Sequence, residues 1–172
     1  MATDIEMDAG RDAASVAAVG AIPTQAFDVV VIGGGPAGMA AALAAHKAGA
    51  RVAIVEREQH LGGILRQCIH PGFGLSHFKQ ELTGPEYAQR FIDQIRATDI
   101  ALFLDSMVIG IDGDSDTPGA SGAEVHTVTL MSPASMLQLT GRAVVLAMGC
   151  RERTRSEIKI PGSRPAGVFT AG

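Results

Sequence analysis

The chain has 172 residues, 47% hydrophobic but only 4% aromatic, and a formal net charge of −4. That length suits one ordinary domain with a core of aliphatic side chains and alanine, and the acidic balance argues against a nucleic-acid surface or a polybasic membrane patch. No apolar run approaches the roughly 18 residues that cross a bilayer, and two cysteines, Cys68 and Cys150, make no disulfide framework, which suits a reducing cytoplasm.

The first 25 residues carry Asp4, Glu6, Asp8 and Asp12 and lack a basic stretch followed by an apolar one. They read as a flexible extension rather than a secretory signal, and residues 26–172 read as one α/β domain. Val29 to Ile32 is a short β-branched run, the pattern of a buried parallel strand. Gly33, Gly35 and Gly38 follow with the spacing G-x-G-x-x-G. An alanine-rich helix is expected from about Pro36 to Lys47, closed by Gly49, with Met39, Ala40, Leu43 and Ala44 toward the sheet.

Each glycine of this turn has its own task. The first allows a tight turn, the second lets a pyrophosphate touch the backbone, and the third lets helix and strand pack closely. The phosphates would rest on the free N–H groups and positive end of the helix, which makes Gly33, Gly35, Pro36, Ala37 and Gly38 candidate binding residues. Arg51 to Glu56 reads as the next strand. Glu56 ends it, close to the roughly 20-residue distance at which an acid accepts hydrogen bonds from a ribose diol. A strand before the glycines, a helix after them and an acid beyond separate this pattern from a chance glycine-rich turn.

Arg57 to Ser76, with Gly62, Gly63, Pro71, Gly72 and Gly74, is expected as a long loop, a length that is usually functional inside a domain. Thr83 or Gly84 should cap a helix from Pro85 to Ala97, with Tyr87, Phe91, Ile92 and Ile95 on its apolar face. Ile100 to Leu104 is expected as a third buried strand. Met107 to Ile111, Glu124 to Leu130 and Met136 to Leu139 alternate apolar with polar residues, as antiparallel strands do. The Gly113 to Gly122 tip is turn chemistry, and Arg142 to Gly149 holds another β-branched strand. The expected fold is therefore α/β: a Rossmann-like parallel sheet with an inserted antiparallel β-meander, in three layers.

The segments VVVIGGGPAG (Val29 to Gly38), VAIVE (Val52 to Glu56), LGG (Leu61 to Gly63) and VVLAMG (Val144 to Gly149) together resemble the FAD-binding domain of the pyridine nucleotide–disulfide oxidoreductase superfamily and its non-disulfide relatives. The resemblance covers nearly everything from about Phe27 onward. Its LGG pair implies FAD, because the pair follows the ribose acid in FAD domains and has no counterpart in an ordinary NAD domain. Ala147-Met148-Gly149 is similar to the family's ATG motif, with methionine in place of threonine. Gly62, Gly63, Ala147, Gly149 and Arg57 thereby join the candidate cofactor-binding set, although Arg57 also reads as a plain surface charge.

Gly62 to Ala88 and Gly149 to Gly172 more closely resemble bacterial NAD(P)/FAD-dependent oxidoreductases related to dehydrogenase subunits of amine and opine oxidases, several of which accompany glycerol-3-phosphate metabolism. The resemblance implies electron exchange between NAD(P)H and flavin. In such proteins the TAG tripeptide, here Thr170 to Gly172, leads into a second Rossmann domain. The chain is therefore expected to be the amino-terminal part of a longer enzyme or a truncated product, with a strand edge or apolar face left open and weak FAD binding on its own. The rival readings are a non-catalytic flavin-binding subunit that needs a partner chain, and an NAD-only domain, against which LGG and AMG argue.

Cys68 invites a redox reading, but a catalytic disulfide needs a second cysteine a few residues away. Packing beside the flavin or a single redox role suits it better, and Cys150 reads as structural. His60, Cys68, His70 and His77 match none of the common zinc spacings. Arg151, Arg153 and Arg155 read first as a solvated basic edge and second as a docking site for an NAD(P)H phosphate or a partner.

Overall fold

A computed structural model describes residues 21–114, 125–150, 153–163 and 166. Most of the acidic extension, most of the Gly113 to Gly122 tip, Arg151 and the TAG tripeptide lie outside the described residues. In chain order the elements are β1 (Thr24–Ala26), β2 (Val29–Ile32), α1 (Pro36–Lys47), β3 (Val52–Val55), a 3₁₀ turn (Gly63–Arg66), β4 (Pro71–Phe73) and α2 (Leu75–Phe78). There follow β5 (Leu82–Thr83), α3 (Gly84–Arg96), β6 (Ala101–Phe103), β7 (Met107–Asp114), β8 (Val125–Met131), β9 (Met136–Gly141) and β10 (Ala143–Leu146).

β10, β2, β3 and β6 form a parallel sheet in that order, with Val30 opposite Val144 on one side and Ala53 on the other. Strands buried on both faces need apolar residues at every position, and β2 and β3 supply them. Val31, Val52 and Ile54 face α1 and α3 together with Met39, Phe91 and Ile95. Their alternates Val30, Ile32, Ala53 and Val55 face Val128, Leu130 and Leu139 of the meander. Three layers result: helices, parallel sheet and a second sheet in the order β1-β9-β8-β7, in which β7, β8 and β9 are antiparallel. Fully burying one such aliphatic or phenyl side chain stabilises by roughly 1.5–3 kcal/mol, so the alternation on β2 and β3 holds both outer layers to the same central sheet.

The helices are ended by local chemistry. Pro36 opens α1, His46 and Lys47 sit in its last turn where a cation suits the dipole, and Gly49 leaves it at φ +88°. Thr83 caps α3, with Glu86 Oε2 accepting from both the N–H and the hydroxyl of Thr83 at 2.8 Å. His46 Nδ1 lies 3.2 Å from Asp99 and ties the end of α1 to the turn after α3.

Several expectations are corrected. Thr24–Ala26, partly inside the stretch read as an extension, runs parallel to β9, and the N–H of Gln138 donates to Pro23 at 2.9 Å. β6 is an edge strand whose Leu102 is exposed, because it has a neighbour on one side only. The inward face of α1 is Gly38, Met39 and Ala42, while Ala40 and Ala44 face outward. The face is rotated because Gly38 itself must lie against the strand. The Arg57 to Ser76 stretch holds the 3₁₀ turn, β4 and α2 rather than plain loop. Leu146, on the outer edge strand β10, is also exposed. Among the described residues no helix is long and apolar enough to cross a membrane.

Candidate functional site

The parallel strands end on one side of the molecule, where a groove of about 1250 Å³ opens. It is lined by Ile32 at the end of β2, Val55 at the end of β3, Leu146 at the end of β10 and Asp105 to Val108 just past β6. β2 leads through α1 to β3, whereas its other neighbour, β10, arrives from the far end of the chain. A crevice at such a reversal of strand order is where open α/β sheets take their ligands.

The three motif glycines are distinguished by what surrounds them. Gly33 has φ +110°, and a Cβ there would fall on the carbonyl oxygen of Ala147. A Cβ on Gly38 would fall on the carbonyl oxygen of Gly33, so helix and strand approach as closely as backbones allow. Gly35 is the opposite case. Its Cβ would meet nothing within 4 Å, and it caps α1 with no side-chain hydrogen bond and no acid in the first turn. The leading N–H groups of α1 therefore face the groove without an internal partner, which is the chemistry of an anion site.

Glu56 is 8% exposed, and both its oxygens are engaged. Gly34 N–H donates to Oε2 at 2.7 Å and Glu58 N–H donates to Oε1 at 2.9 Å. Each carboxylate oxygen has room for a second donor, so a ribose diol could still be accepted. Gly34 also accepts from Gly62 N–H at 2.8 Å, and Leu61 is buried against it. A Cβ on Gly63 would come within 3.1 Å of Gly35 Cα. The LGG segment is thus fastened to the glycine turn backbone to backbone.

Of the sequence candidates, Gly33, Gly35, Pro36, Ala37, Glu56, Arg57, Gly63, Ala147 and Gly149 line the groove, while Gly38 and Gly62 are buried behind it. Arg57 is exposed and stands 3.4 Å from Glu58, a pair of little energetic weight at such exposure. Cys68 is half-buried, is not a lining residue, and uses its carbonyl to accept from Gly84 N–H at 2.8 Å. Cys150 is exposed, so it has no core role. His60 lines the groove, whereas His77 stacks on Phe91 at 5.4 Å and His70 lies 5.3 Å from Phe73. No three His, Cys, Asp or Glu side chains converge on a metal-sized point among the described residues. Arg155 donates to the carbonyl of Gly162, and Arg153 is exposed. Gly34 and Met107 escaped the sequence reading: Gly34 contributes a backbone donor, and Met107 was read only as part of a strand.

Residues 28–147 match the FAD dependent oxidoreductase family. The chain belongs to that family. The span that marks it as an FAD dependent oxidoreductase runs from just before β2 to just after β10, and so contains the glycine turn, Glu56 and most of both walls of the groove. The chain is similar to one of the subunits of the opine oxidase of Agrobacterium tumefaciens, 33% identical over 148 residues covering 85% of this chain and 28% of that protein. It is also similar to the glutamate synthase (NADPH) small chain of Mycobacterium tuberculosis, 33% identical over 144 residues covering 83% of this chain and 23% of that protein. The chain thus spans about a quarter of the length of the curated relatives it matches. Among solved structures, L-proline dehydrogenase from P. horikoshii superposes with a TM-score of 0.64 at 22% identity, over 77% of this chain and 24% of that one. At that identity the likeness speaks for the fold alone. The FAD dependent oxidoreductase groove has the parts a dinucleotide needs: a helix end open to an anion, a glycine with clear space above it, and a buried carboxylate with acceptor capacity to spare.

Proposed function

We propose that the groove binds FAD and that the whole protein exchanges electrons between NAD(P)H and the flavin. The observation that carries this reading is the open end of α1 beneath Gly35, in a groove that also holds Glu56. FAD, when bound, supplies the hydride and electron chemistry, and the residues of this chain hold and orient it. Gly33, Gly35, Pro36, Ala37 and Gly38 form the pyrophosphate seat. Glu56 accepts the adenosine ribose, and Arg57 stands at the same end. Gly62 and Gly63 hold the seat from below, and Ala147 and Gly149 form the opposite wall. Cys68 packs behind the groove. NADPH in the name of the glutamate synthase relative supports the nucleotide side of the reading.

A second reading is favoured by the names of the relatives: glutamate synthase contributes a small chain, and the opine oxidase protein is one of several subunits. On that reading the chain works with a partner or with further domains of its own protein, and residues 1–172 alone hold FAD weakly and oxidise NAD(P)H slowly. A reducing cytoplasm suits two cysteines with no disulfide between them. The domain itself starts at about Thr24. Purified protein is expected to be yellow and to release FAD on denaturation. Release of NAD alone, identified by mass spectrometry, would overturn the first reading. Fast, stoichiometric NAD(P)H oxidation by residues 1–172 would overturn the second.

A further inference from the structure

The methionines are distributed around the groove in a way its cofactor reading does not use. Five are described, and Met39 alone is fully buried, at 0% exposure. Met107 and Met148 line the groove, from the start of β7 and from the turn after β10, and are 52% and 67% exposed. Met107 stands directly opposite Met131 on β8, and Met131 directly opposite Met136 on β9, so three thioethers run across the meander from the groove rim. Met131 and Met136 are 48% and 41% exposed. Methionine is a soft, polarisable side chain that makes favourable contacts with aromatic rings, which suits a wall against a flat heterocycle. It is also the apolar side chain most readily turned polar by an oxidant.

We propose that Met107 and Met148 are a hydroperoxide-sensitive modification site whose oxidation loosens the bound cofactor, with Met131 and Met136 as reactive neighbours outside the groove. The proposal rests on the reading of the groove as an FAD site. In the reaction the thioether sulfur attacks one oxygen of a hydroperoxide. An S–O bond forms and the O–O bond breaks. The proton of the transferred oxygen goes to the departing oxygen, which leaves as water or an alcohol. Sulfur is oxidised by two electrons and the peroxide is reduced by two, so no further reductant is required. The sulfoxide is polar where the thioether was apolar, and it sets an oxygen dipole beside the backbone of Ala147 and Gly149 that would face the cofactor. Methionine sulfoxide reductases reverse the change.

The test uses purified full-length protein, first titrated with FAD and then treated with hydrogen peroxide, with and without saturating FAD. Peptide mass spectrometry reads one added oxygen at each methionine, and Met39 serves as the buried reference. FAD is expected to slow oxidation of Met107 and Met148 but not of Met131 and Met136. Oxidation in the absence of FAD is expected to weaken subsequent FAD retention by about tenfold, the scale of one lost sulfur–ring contact, and sulfoxide reductase treatment should restore it. The double variant Met107→Leu, Met148→Leu should keep its FAD affinity after peroxide, and the reductase arm keeps the test decisive if that variant folds poorly. Equal oxidation with and without FAD, or unchanged retention after Met107 and Met148 are oxidised, would overturn the proposal alone. Untreated protein that takes up no FAD would instead overturn the reading of the groove, and this proposal with it.

Discussion

Replacing Glu56 should damage the empty protein as well as its affinity for FAD. The carboxylate is 8% exposed and accepts two backbone N–H groups, from Gly34 at 2.7 Å and Glu58 at 2.9 Å. Hydrogen bonds to a charged group contribute about 1.5–3 kcal/mol each, and burial at this site limits screening by solvent. Glu56→Ala removes both and should cost about 3 kcal/mol at the low end. For a chain of this size each kcal/mol moves Tm by about 2–4 °C, so the variant should melt roughly 6–12 °C lower without ligand. Glu56→Gln keeps one acceptor but turns an amide N–H toward the second backbone donor, and should fall between the two. Loss of the ribose contact should weaken FAD retention by a further ten- to a hundredfold or more, by order of magnitude. Thermal melts of ligand-free protein and FAD titrations well below Tm separate the effects. If Glu56→Ala melts with the parent, the two backbone bonds carry no weight and the account of the turn is wrong. If it melts lower yet holds FAD as tightly per folded molecule, Glu56 shapes the turn and does not touch the ribose.

The motif glycines should separate in the same assays. Gly38→Ala forces a Cβ onto the Gly33 carbonyl and should cost about 1–3 kcal/mol as overpacking. Gly35→Ala, at φ −75° with nothing within 4 Å of its Cβ, should leave Tm within roughly 2 °C of the parent while FAD retention drops. Equal stability losses at the two positions would refute these roles. Hydrogen bonds from the backbone and hydroxyl of Thr83 hold the Glu86 carboxyl below its ordinary value. A group depressed in this way stabilises the fold above its unfolded pKa and stops doing so as pH falls through the folded one. Glu86→Gln should therefore flatten the acid limb of the Tm profile, and an unchanged limb would exclude a contribution from this cap. Cys68→Ala should leave flavin reduction by NAD(P)H in the whole protein within about twofold of the parent, since exchange chemistry needs a second thiol. A collapse of the rate with FAD still bound would reinstate Cys68 as a redox group.

What could be read from the sequence follows from which interactions leave a mark on side chains. β2, α1 and β3 were legible almost to the residue, because a β-branched run, three spaced glycines and a terminal acid each demand particular residue types. Thr83 was one of two caps foreseen for α3, and its side-chain chemistry decides the choice. β1 was not legible: Thr24–Ala26 is short and exposed, and its place is set by the free edge of β9. β6 looked buried because its sequence is apolar, yet apolar composition cannot reveal whether a strand has one neighbour or two. The position of Glu56 was foreseen, but not its two partners, since a backbone N–H can belong to any residue and Gly34 and Glu58 show no pattern that marks them as donors. Met107 went unnoticed for a related reason. It alternates correctly as a strand residue, and only the end-on meeting of β7 with the groove makes it a wall.

The fastening of Leu61–Gly63 to the Gly33–Gly35 turn has a mechanical consequence. Glycine-rich segments are ordinarily the softest part of a chain, because each residue has so many accessible conformations. Here Gly33 N–H is held by the Val55 carbonyl at 2.8 Å, Gly34 N–H by Glu56 at 2.7 Å, and Gly62 N–H by the Gly34 carbonyl at 2.8 Å. Two separate glycine segments have become one stiff floor, and their amide hydrogens should exchange with solvent at the slow pace of the sheet beneath them. A ligand arriving on that floor meets N–H groups that are already aimed, so little conformational freedom is lost when it settles. Stiffness in this molecule is concentrated where its composition alone would put the greatest looseness.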